Sequence, residues 1–446
     1  FTDEGSDAVI VVNGSGIQTW NYSLPGASAN YYSLAVGDLD NDNLDDIAVS
    51  DTGNITIINN SGFNKWNYTV GTTVGDAYAD GGLEIADING NNRSDVIIAS
   101  QDNYGYVLYA NTTNTSATVS TGIVYDIEVL NISNDNSNII AFTDSDGSKR
   151  GSLLIINGST GSLICNTSNL GTVYSVAVGD LNGDGSRSEI AVGANKSIYA
   201  FNSSCKLMWQ NESINGIAYD IAIGNLTDDS GDEIAIADNG STATDGGLLV
   251  FNGSGNFKWN VSGFSATEAE AGAIDSTAGS DIAVNNASGE IKAYNGSGSI
   301  LWAFKNPTGA AYEIRFGNFS NNGIIAFVDD GADVLFVLNA SGNQSWNSSI
   351  GTDTIYSLAV GDLNNDNLDD IAVGGTANKA LAFNYSGANL WNYTFSGDLG
   401  SAYADGAFEI SDIDGDGKRD VIIASQDNYG YVLYAYRETT SHNRDV

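Results

Sequence analysis

The residues best placed to do chemistry are carboxylates at fixed spacing. Asp38-Leu-Asp40-Asn-Asp42-Asn-Leu44-Asp-Asp46 sets side-chain oxygens at positions 1, 3, 5 and 9 of a short loop, with the Leu44 carbonyl available at position 7. Asp412, Asp414, Asp416 and Asp420, with Lys418 at the carbonyl position, do the same. Asp362, Asn364, Asp366 and Asp370, with Leu368, form a third copy, and Asp87, Asn89, Asn91 and Asp95, with Arg93, a less charged one. Hard oxygens alternating along a tight loop suit Ca²⁺, which takes roughly six to eight of them. Mg²⁺ fits less well because it keeps its water and demands an octahedron. No His or thiolate stands nearby to favour zinc or iron. An EF-hand shares the first half of the pattern, but needs flanking helices and a Glu at position 12 of its loop. The plain alternative is a set of Asp/Asn-Gly hairpin turns.

These loops recur on a larger frame. The run Tyr32–Val49 returns as Tyr356–Val373 with one change, and Asp95–Ala110 is identical to Asp420–Ala435. Weaker copies begin at Tyr174 and Tyr219. Anchors at Asp38, Asp87, Asn131, Asp180, Asn225, Ala273, Asn318, Asp362 and Asp412 mark nine units, spaced 44 to 50 residues apart. Within each unit an alternating run such as SLAVG leads into the acidic loop. Runs such as DIAV and ITIIN follow, then an Asn/Ser-Gly turn and a closing segment with Trp. Period-2 alternation, β-branched residues and short turns describe strands throughout. Four strands in a unit of this size match one β-propeller blade; a β-helix coil is shorter. Trp20, Trp66, Trp209, Trp259, Trp302, Trp346 and Trp391 recur at one position, with Cys165 in the equivalent place, and are expected to pack between blades.

A second periodicity sits above the first. Asp38 to Asp362 is 324 residues and Asp87 to Asp412 is 325, each spanning seven units. The N-terminus follows it, since Phe1–Trp20 resembles Phe327–Trp346. The expected fold is therefore all-β, a β-propeller of four-stranded blades, seven to a ring, with about two and a half units over. Residues 1–30 would be a partial blade of outer strands. Blades would lie near 31–78, 79–121, 122–171, 172–216, 217–267, 268–310 and 311–355, and 356–446 would duplicate 32–120.

Taken together, the units resemble FG-GAP/VCBS repeats, the calcium-loop blades of integrin α-subunit propellers and of many microbial surface proteins. The resemblance covers nearly the whole chain. It implies a seven-bladed calcium-binding propeller at a cell surface, with ligands at the four loop positions named above. Two loops depart from the pattern. At Asp180, Asn182 and Asp184 the loop is one residue longer, and Glu189 stands in for the last Asp. At Asn225, Thr227, Asp229 and Glu233 the first ligand is neutral, which predicts a weaker site. The units at Asn131, Ala273 and Asn318 have lost most ligands and are expected to hold no metal. An empty loop gathers like charges, so calcium is expected to stabilise by mass action.

Composition bounds the rest. The 446 residues hold 16 Lys+Arg against 55 Asp+Glu, a formal charge of −39. That balance argues against nucleic acid and anionic membrane surfaces as partners. No apolar run approaches the roughly 20 residues that span a bilayer. The chain begins at Phe1 without a signal peptide, as a processed chain or fragment would. The single His442 leaves little for hydrolytic or metal catalysis. With no nucleophile motif, P-loop or Cys/His pair, no enzyme is expected. There are 26 Asn-x-Ser/Thr sequons, about threefold over chance, pointing to a secreted glycoprotein carrying N-linked glycans. Candidates include Asn13, Asn21, Asn54, Asn59, Asn67, Asn111, Asn157, Asn166, Asn202, Asn252, Asn260, Asn295, Asn339, Asn347, Asn384 and Asn392. Many are equally good turn sequences. Cys165 and Cys205 lie in corresponding regions of neighbouring units and form a disulfide candidate fitting an oxidising compartment.

Two functional classes follow. The surplus units favour a structural surface protein whose end repeats its beginning, able to join copies head to tail into a filament or layer. The alternative is an adhesin or lectin-like module, with tyrosines such as Tyr104, Tyr106 and Tyr109 stacking on sugars. Those same tyrosines alternate along one strand face and are accounted for equally by packing.

Overall fold

The computed structural model of the chain describes residues 8–12, 18–23, 33–50, 54–69, 83–88, 94–99, 104–108, 115–119, 123–130, 139–145, 151–157, 163–227, 231–242, 244–274, 279–286, 288–306, 309, 311–317, 324–329, 334–349, 355–363, 366–375, 379–394, 408–411, 420–425 and 429–433. Among these residues 37 strands form nine sheets. Eight sheets are four-stranded, with strands that are neighbours in the chain paired antiparallel. The fourth is representative: Val173–Gly179, Glu189–Ala194, Ser197–Phe201 and Leu207–Asn211 run in order from its inner to its outer edge.

Burial explains the difference between the runs. The second strands Asp46–Ser50, Glu189–Ala194, Glu233–Asp238 and Asp281–Asn286 are buried at every residue. They are covered on both faces because the sheets stack face to face, so they read as unbroken apolar runs. Ala177, Ile198, Ala218, Ile234 and Phe251 share one core cluster that draws on the fourth and fifth sheets. Each fully buried Ile or Phe there contributes about 1.5–3 kcal/mol. Outer strands such as Phe257–Ser262 and Gln344–Ser349 instead alternate exposed and half-buried, since one face meets solvent.

The inner strands join one sheet to the next. Their registers shift at Val173/Ser175, Ala218/Asp220, Ala266/Glu268 and Tyr312/Ile314, bulges that re-aim side chains. The Ser175 hydroxyl donates to the Ala218 carbonyl (3.4 Å), Asp220 accepts from the Ala269 amide (2.9 Å), and Glu268 accepts from the Ile314 amide (3.0 Å), each across a sheet boundary.

A second junction lies at the outer edge. The Trp209, Trp259, Trp302 and Trp346 indoles donate to the carbonyls of Gly253, Gly296, Ala340 and Tyr385 in the next sheet, at 2.8 to 3.1 Å. Each ring also lies against a turn glycine: Gly255, Gly298, Gly342 or Gly387, all with φ between 71° and 82°. A Cβ at any of these glycines would overlap the indole. The structure joins Cys165 and Cys205 as a disulfide with Cα atoms 6.1 Å apart. Cys165 pairs opposite Ile155 as Trp209 does opposite Ala200. Cys205, at φ 55°, occupies the turn position of Gly255. The disulfide thus stands where a Trp–Gly contact stands elsewhere.

The described residues form nine sheets, and no closed sheet among them fixes seven to a ring. The seventh sheet's inner strand Ala311–Gly317 packs against Ile355–Gly361 of the eighth, which packs against Phe408–Ser411 of the ninth. Phe408–Ser411 in turn touches Ser33–Gly37 of the first sheet. High identity at a seven-unit separation reports a duplication and need not report closure. The ninth sheet has five strands: Phe408–Ser411, Asp420–Ser425 and Tyr429–Leu433 from the C-terminal end, then Ala8–Val12 and Gln18–Ser23 from the N-terminal end. Ala8–Val12 pairs parallel with Tyr429–Leu433. Both are third strands by their repeats, and third strands of successive units run the same way.

Candidate metal centre

The first acidic loop links Ser33–Gly37 to Asp46–Ser50. One carboxylate oxygen from each of Asp38, Asp40 and Asp42 lies within 4.8 Å of the others. The loop folds around Asp38. Its Oδ1 accepts amides from Asp40 (3.2 Å), Asn41 (2.6 Å) and Asp42 (3.2 Å), and its Oδ2 accepts from Asn43 (2.9 Å). Asn41 and Asn43 take φ of 62° and 65°, a conformation Asn tolerates better than most residues. Asp42 is held by the Leu44 amide at 2.9 Å. Asp46, 1% exposed, accepts the Leu39 amide at 3.1 Å. Asp40 Oδ1 is buried with no hydrogen-bond partner.

The corresponding loops repeat the scaffold. Asp362 accepts from the Asp366 (3.1 Å) and Asn367 (2.8 Å) amides, Asp366 from Leu368 (2.9 Å), and Asp370 from Leu363 (2.9 Å). Asp180 accepts from Asp184 (3.0 Å) and Gly185 (2.7 Å), and Gly183 and Gly185 supply the positive φ given by Asn41 and Asn43 in the first loop. Glu189 accepts from the Asn182 amide (3.4 Å) and side chain (2.9 Å) and the Ser188 hydroxyl (2.8 Å). Glu233 accepts from the amides of Leu226 (2.9 Å) and Thr227 (3.0 Å) and from the Thr227 hydroxyl (2.7 Å). Asn89, Asn91, Arg93, Asp229, Asn364, Asp412, Asp414, Asp416 and Lys418 lie outside the described residues, as does the side chain of Asp420.

Three features escaped the sequence. First, Lys65 on the outer strand Asn64–Thr69 reaches back to the loop and pairs with both Asp40 and Asp46, the latter at 3.0 Å. Its signal was a paired difference: where Asp40 becomes Asn364, Lys65 becomes Leu390. Second, the last acid of the loop has a job of its own. Asp281 accepts the Ile274 amide at 2.9 Å in a unit that has lost most other ligands. Third, the loops are chained sheet to sheet. The carbonyls of Asp38, Asp180 and Asn225 accept the amides of Ser94 (2.9 Å), Asp232 (2.8 Å) and Ser280 (2.6 Å) in the following sheet.

Burial sets the electrostatics. It pushes the Asp46 carboxyl up to about 6, and the Lys65 bond only partly offsets this. Burial likewise raises Glu189, despite the Ser188 and Asn182 hydrogen bonds, and Asp238 at the opposite end of its sheet. Half-buried to exposed carboxylates at Asp38, Asp40 and Asp42, with buried Asp46 beside them and one orphaned Oδ1, offer the hard oxygens a divalent cation takes.

The sequons divide. Asn59, Asn202, Asn252, Asn295, Asn339 and Asn384 sit in turns, and their side-chain oxygens accept turn amides such as Phe63, Lys206, Asn256, Ser299, Asn343 and Ala388 at 2.8 to 3.1 Å. Asn67, Asn166, Asn260, Asn347 and Asn392 are exposed on outer strands. Asn54, half-buried, accepts the Thr69 hydroxyl at 3.0 Å. Asn13 and Asn111 lie outside the described residues, as do the side chains of Asn21, Asn157, Tyr104 and Tyr106.

No protein-family model and no curated protein matches the chain. Solved structures do. Sqt1 of Saccharomyces cerevisiae aligns at 12% identity and TM-score 0.58, over 82% of this chain and 98% of its own. The V. cholerae biofilm matrix protein Bap1 aligns at 14% identity and TM-score 0.51, over 94% of this chain and 88% of its own. With the stacked four-stranded sheets, these likenesses identify the fold as β-propeller-like.

Proposed function

We propose that this chain is a calcium-stabilised β-propeller with a structural role outside the cell, its nine sheets closed into a ring where Phe408–Ser411 meets Ser33–Gly37. The observation that carries the reading is the triad of Asp38, Asp40 and Asp42 with the buried, unpartnered Oδ1 of Asp40. These carboxylates and the Leu44 carbonyl would hold the ion, as Asp362, Asp366 and Asp370 would in the eighth sheet. Calcium supplies charge neutralisation there. The chain's own contribution is the amide cradle around Asp38 and the carbonyl link to Ser94, which couple loop order to the next sheet. A ring tied together at its loops and its outer edge suits a durable surface component.

Head-to-tail assembly belongs to the same reading. The ninth sheet is made from both ends of the chain, and Phe1–Trp20 repeats Phe327–Trp346. Ala8–Val12 and Gln18–Ser23 of one copy fit the same edge on another copy as on their own. Negative-stain electron microscopy in calcium and after chelation tests it. Filaments or sheets that fray without calcium are expected. Single discs unchanged at high concentration would restrict the ninth-sheet joint to one chain.

A further inference from the structure

Two structural classes stand out among the described glycan acceptors. We propose that one of them makes the outer wall of the molecule its sugar-bearing surface, an inference resting on the extracellular location proposed above. Asn67, Asn166, Asn260, Asn347 and Asn392 each follow the outer-edge Trp, or Cys165, by one residue, and all five are exposed. Residues two apart on a strand share a face. In four of the five sequons the completing hydroxyl residue, Thr69, Ser168, Ser262 or Ser349, is exposed along with its Asn. The turn asparagines differ. Asn59, Asn202, Asn295, Asn339 and Asn384 each accept two backbone amides and hold their turns closed. They act in the fold, whereas the strand class has its side chains in solvent.

The outer wall also has something to hide. Among the described residues each outermost strand pairs with one neighbouring strand, leaving a sheet edge of the kind proteins commonly blunt with Lys or Pro. This chain has 16 Lys+Arg and 2 Pro in 446 residues, and Lys65, Lys258 and Lys305 stand on three of these edges. Large apolar side chains lie two to four residues before the acceptors: Phe63 (70% exposed), Leu163 (48%), Phe257 (53%) and Leu390 (37%). A saccharide at each acceptor would cover the edge and, beside Asn67, Asn166, Asn260 and Asn392, the apolar neighbour as well. The transfer joins Asn Nδ2 to C1 of a lipid-pyrophosphate-linked saccharide. The C1–O bond to phosphate breaks, the lipid pyrophosphate leaves with the electron pair, and the amide gives up one proton.

Glycopeptide mass spectrometry of the full chain, secreted from a glycosylation-competent host, tests the assignment. Sugar is expected on Asn67, Asn166, Asn260, Asn347 and Asn392. Changing all five to Gln is expected to remove that mass and leave the unfolding midpoint within about 2 °C. The same variant should self-associate by light scattering at concentrations where the parent stays dispersed. Asn295→Gln, in a turn, should lower the midpoint instead. Unmodified outer-strand peptides, or a five-site variant as dispersed as the parent, would overturn the proposal. Neither result depends on calcium: a chain glycosylated at these sites but indifferent to calcium would sink only the metal reading, and the converse only this one.

Discussion

Lys65 and Asp40 form a compensated pair. The first loop has one carboxylate more than the eighth, and the Lys65 ammonium offsets it, while Asn364 and Leu390 stand at the corresponding places. Lys65→Leu strips Asp40 and buried Asp46 of their cation, and Asp40→Asn leaves Lys65 with Asp46 alone, so each should destabilise the metal-free protein. The double variant should be close to the parent, with a coupling of about 1–3 kcal/mol in a double-mutant cycle. Additive single effects would dissolve the pairing. Asp46 predicts a pH dependence. Its folded carboxyl titrates near 6 against an unfolded value near 3.8, so the folded state binds the proton more tightly. Stability from this group is present below about pH 4 and lost as pH rises through 6, on the order of 3 kcal/mol. Glu189 and Asp238 shift the same way. Thermal scans in chelator should show the midpoint falling between pH 4.5 and 7, and a rise would contradict the burial argument.

The strand and turn elements show what a sequence displays and what it conceals. Apolar runs such as DIAV, turn Asn-Gly pairs and the Trp position are local signals, and strands, turns and edge packing follow from them directly. The partner of each Trp was not legible, because it lies 37 to 44 residues away in the next sheet. Nor was the second duty of the last loop acid, whose amide bond is the same with or without the other ligands. The equivalence of Cys165–Cys205 with the Trp–Gly contact gives a test at this scale. Cys165→Ser with Cys205→Ser should lower stability, by up to about 4 kcal/mol in the chain-entropy model. Cys165→Trp with Cys205→Gly should recover part of that loss, because it rebuilds the contact found at Trp209 and Gly255. Equal stability of the two double variants in denaturant melts would show that the positions are not interchangeable.

At the scale of the whole molecule, neighbouring sheets meet through inner-strand side chains, loop carbonyls and outer-edge contacts at the junctions that the described residues show. The seven-unit superperiod was fully legible in Tyr32–Val49 and Tyr356–Val373, but such identity reports duplication and not the number of sheets in a ring. Closure depends on the summed wedge angle of the junctions, which no local residue encodes. Because the loops are linked sheet to sheet, a cation bound at Asp38, Asp362 or Asp180 should stabilise the junctions cooperatively and not single hairpins alone. The most direct measurement is the thermal unfolding midpoint of the full chain at neutral pH in millimolar calcium and after chelation, for the parent and for Asp38→Asn with Asp362→Asn. A large calcium-dependent rise in the parent, much reduced in the variant, is the predicted result. A parent whose midpoint does not move with calcium would contradict the account.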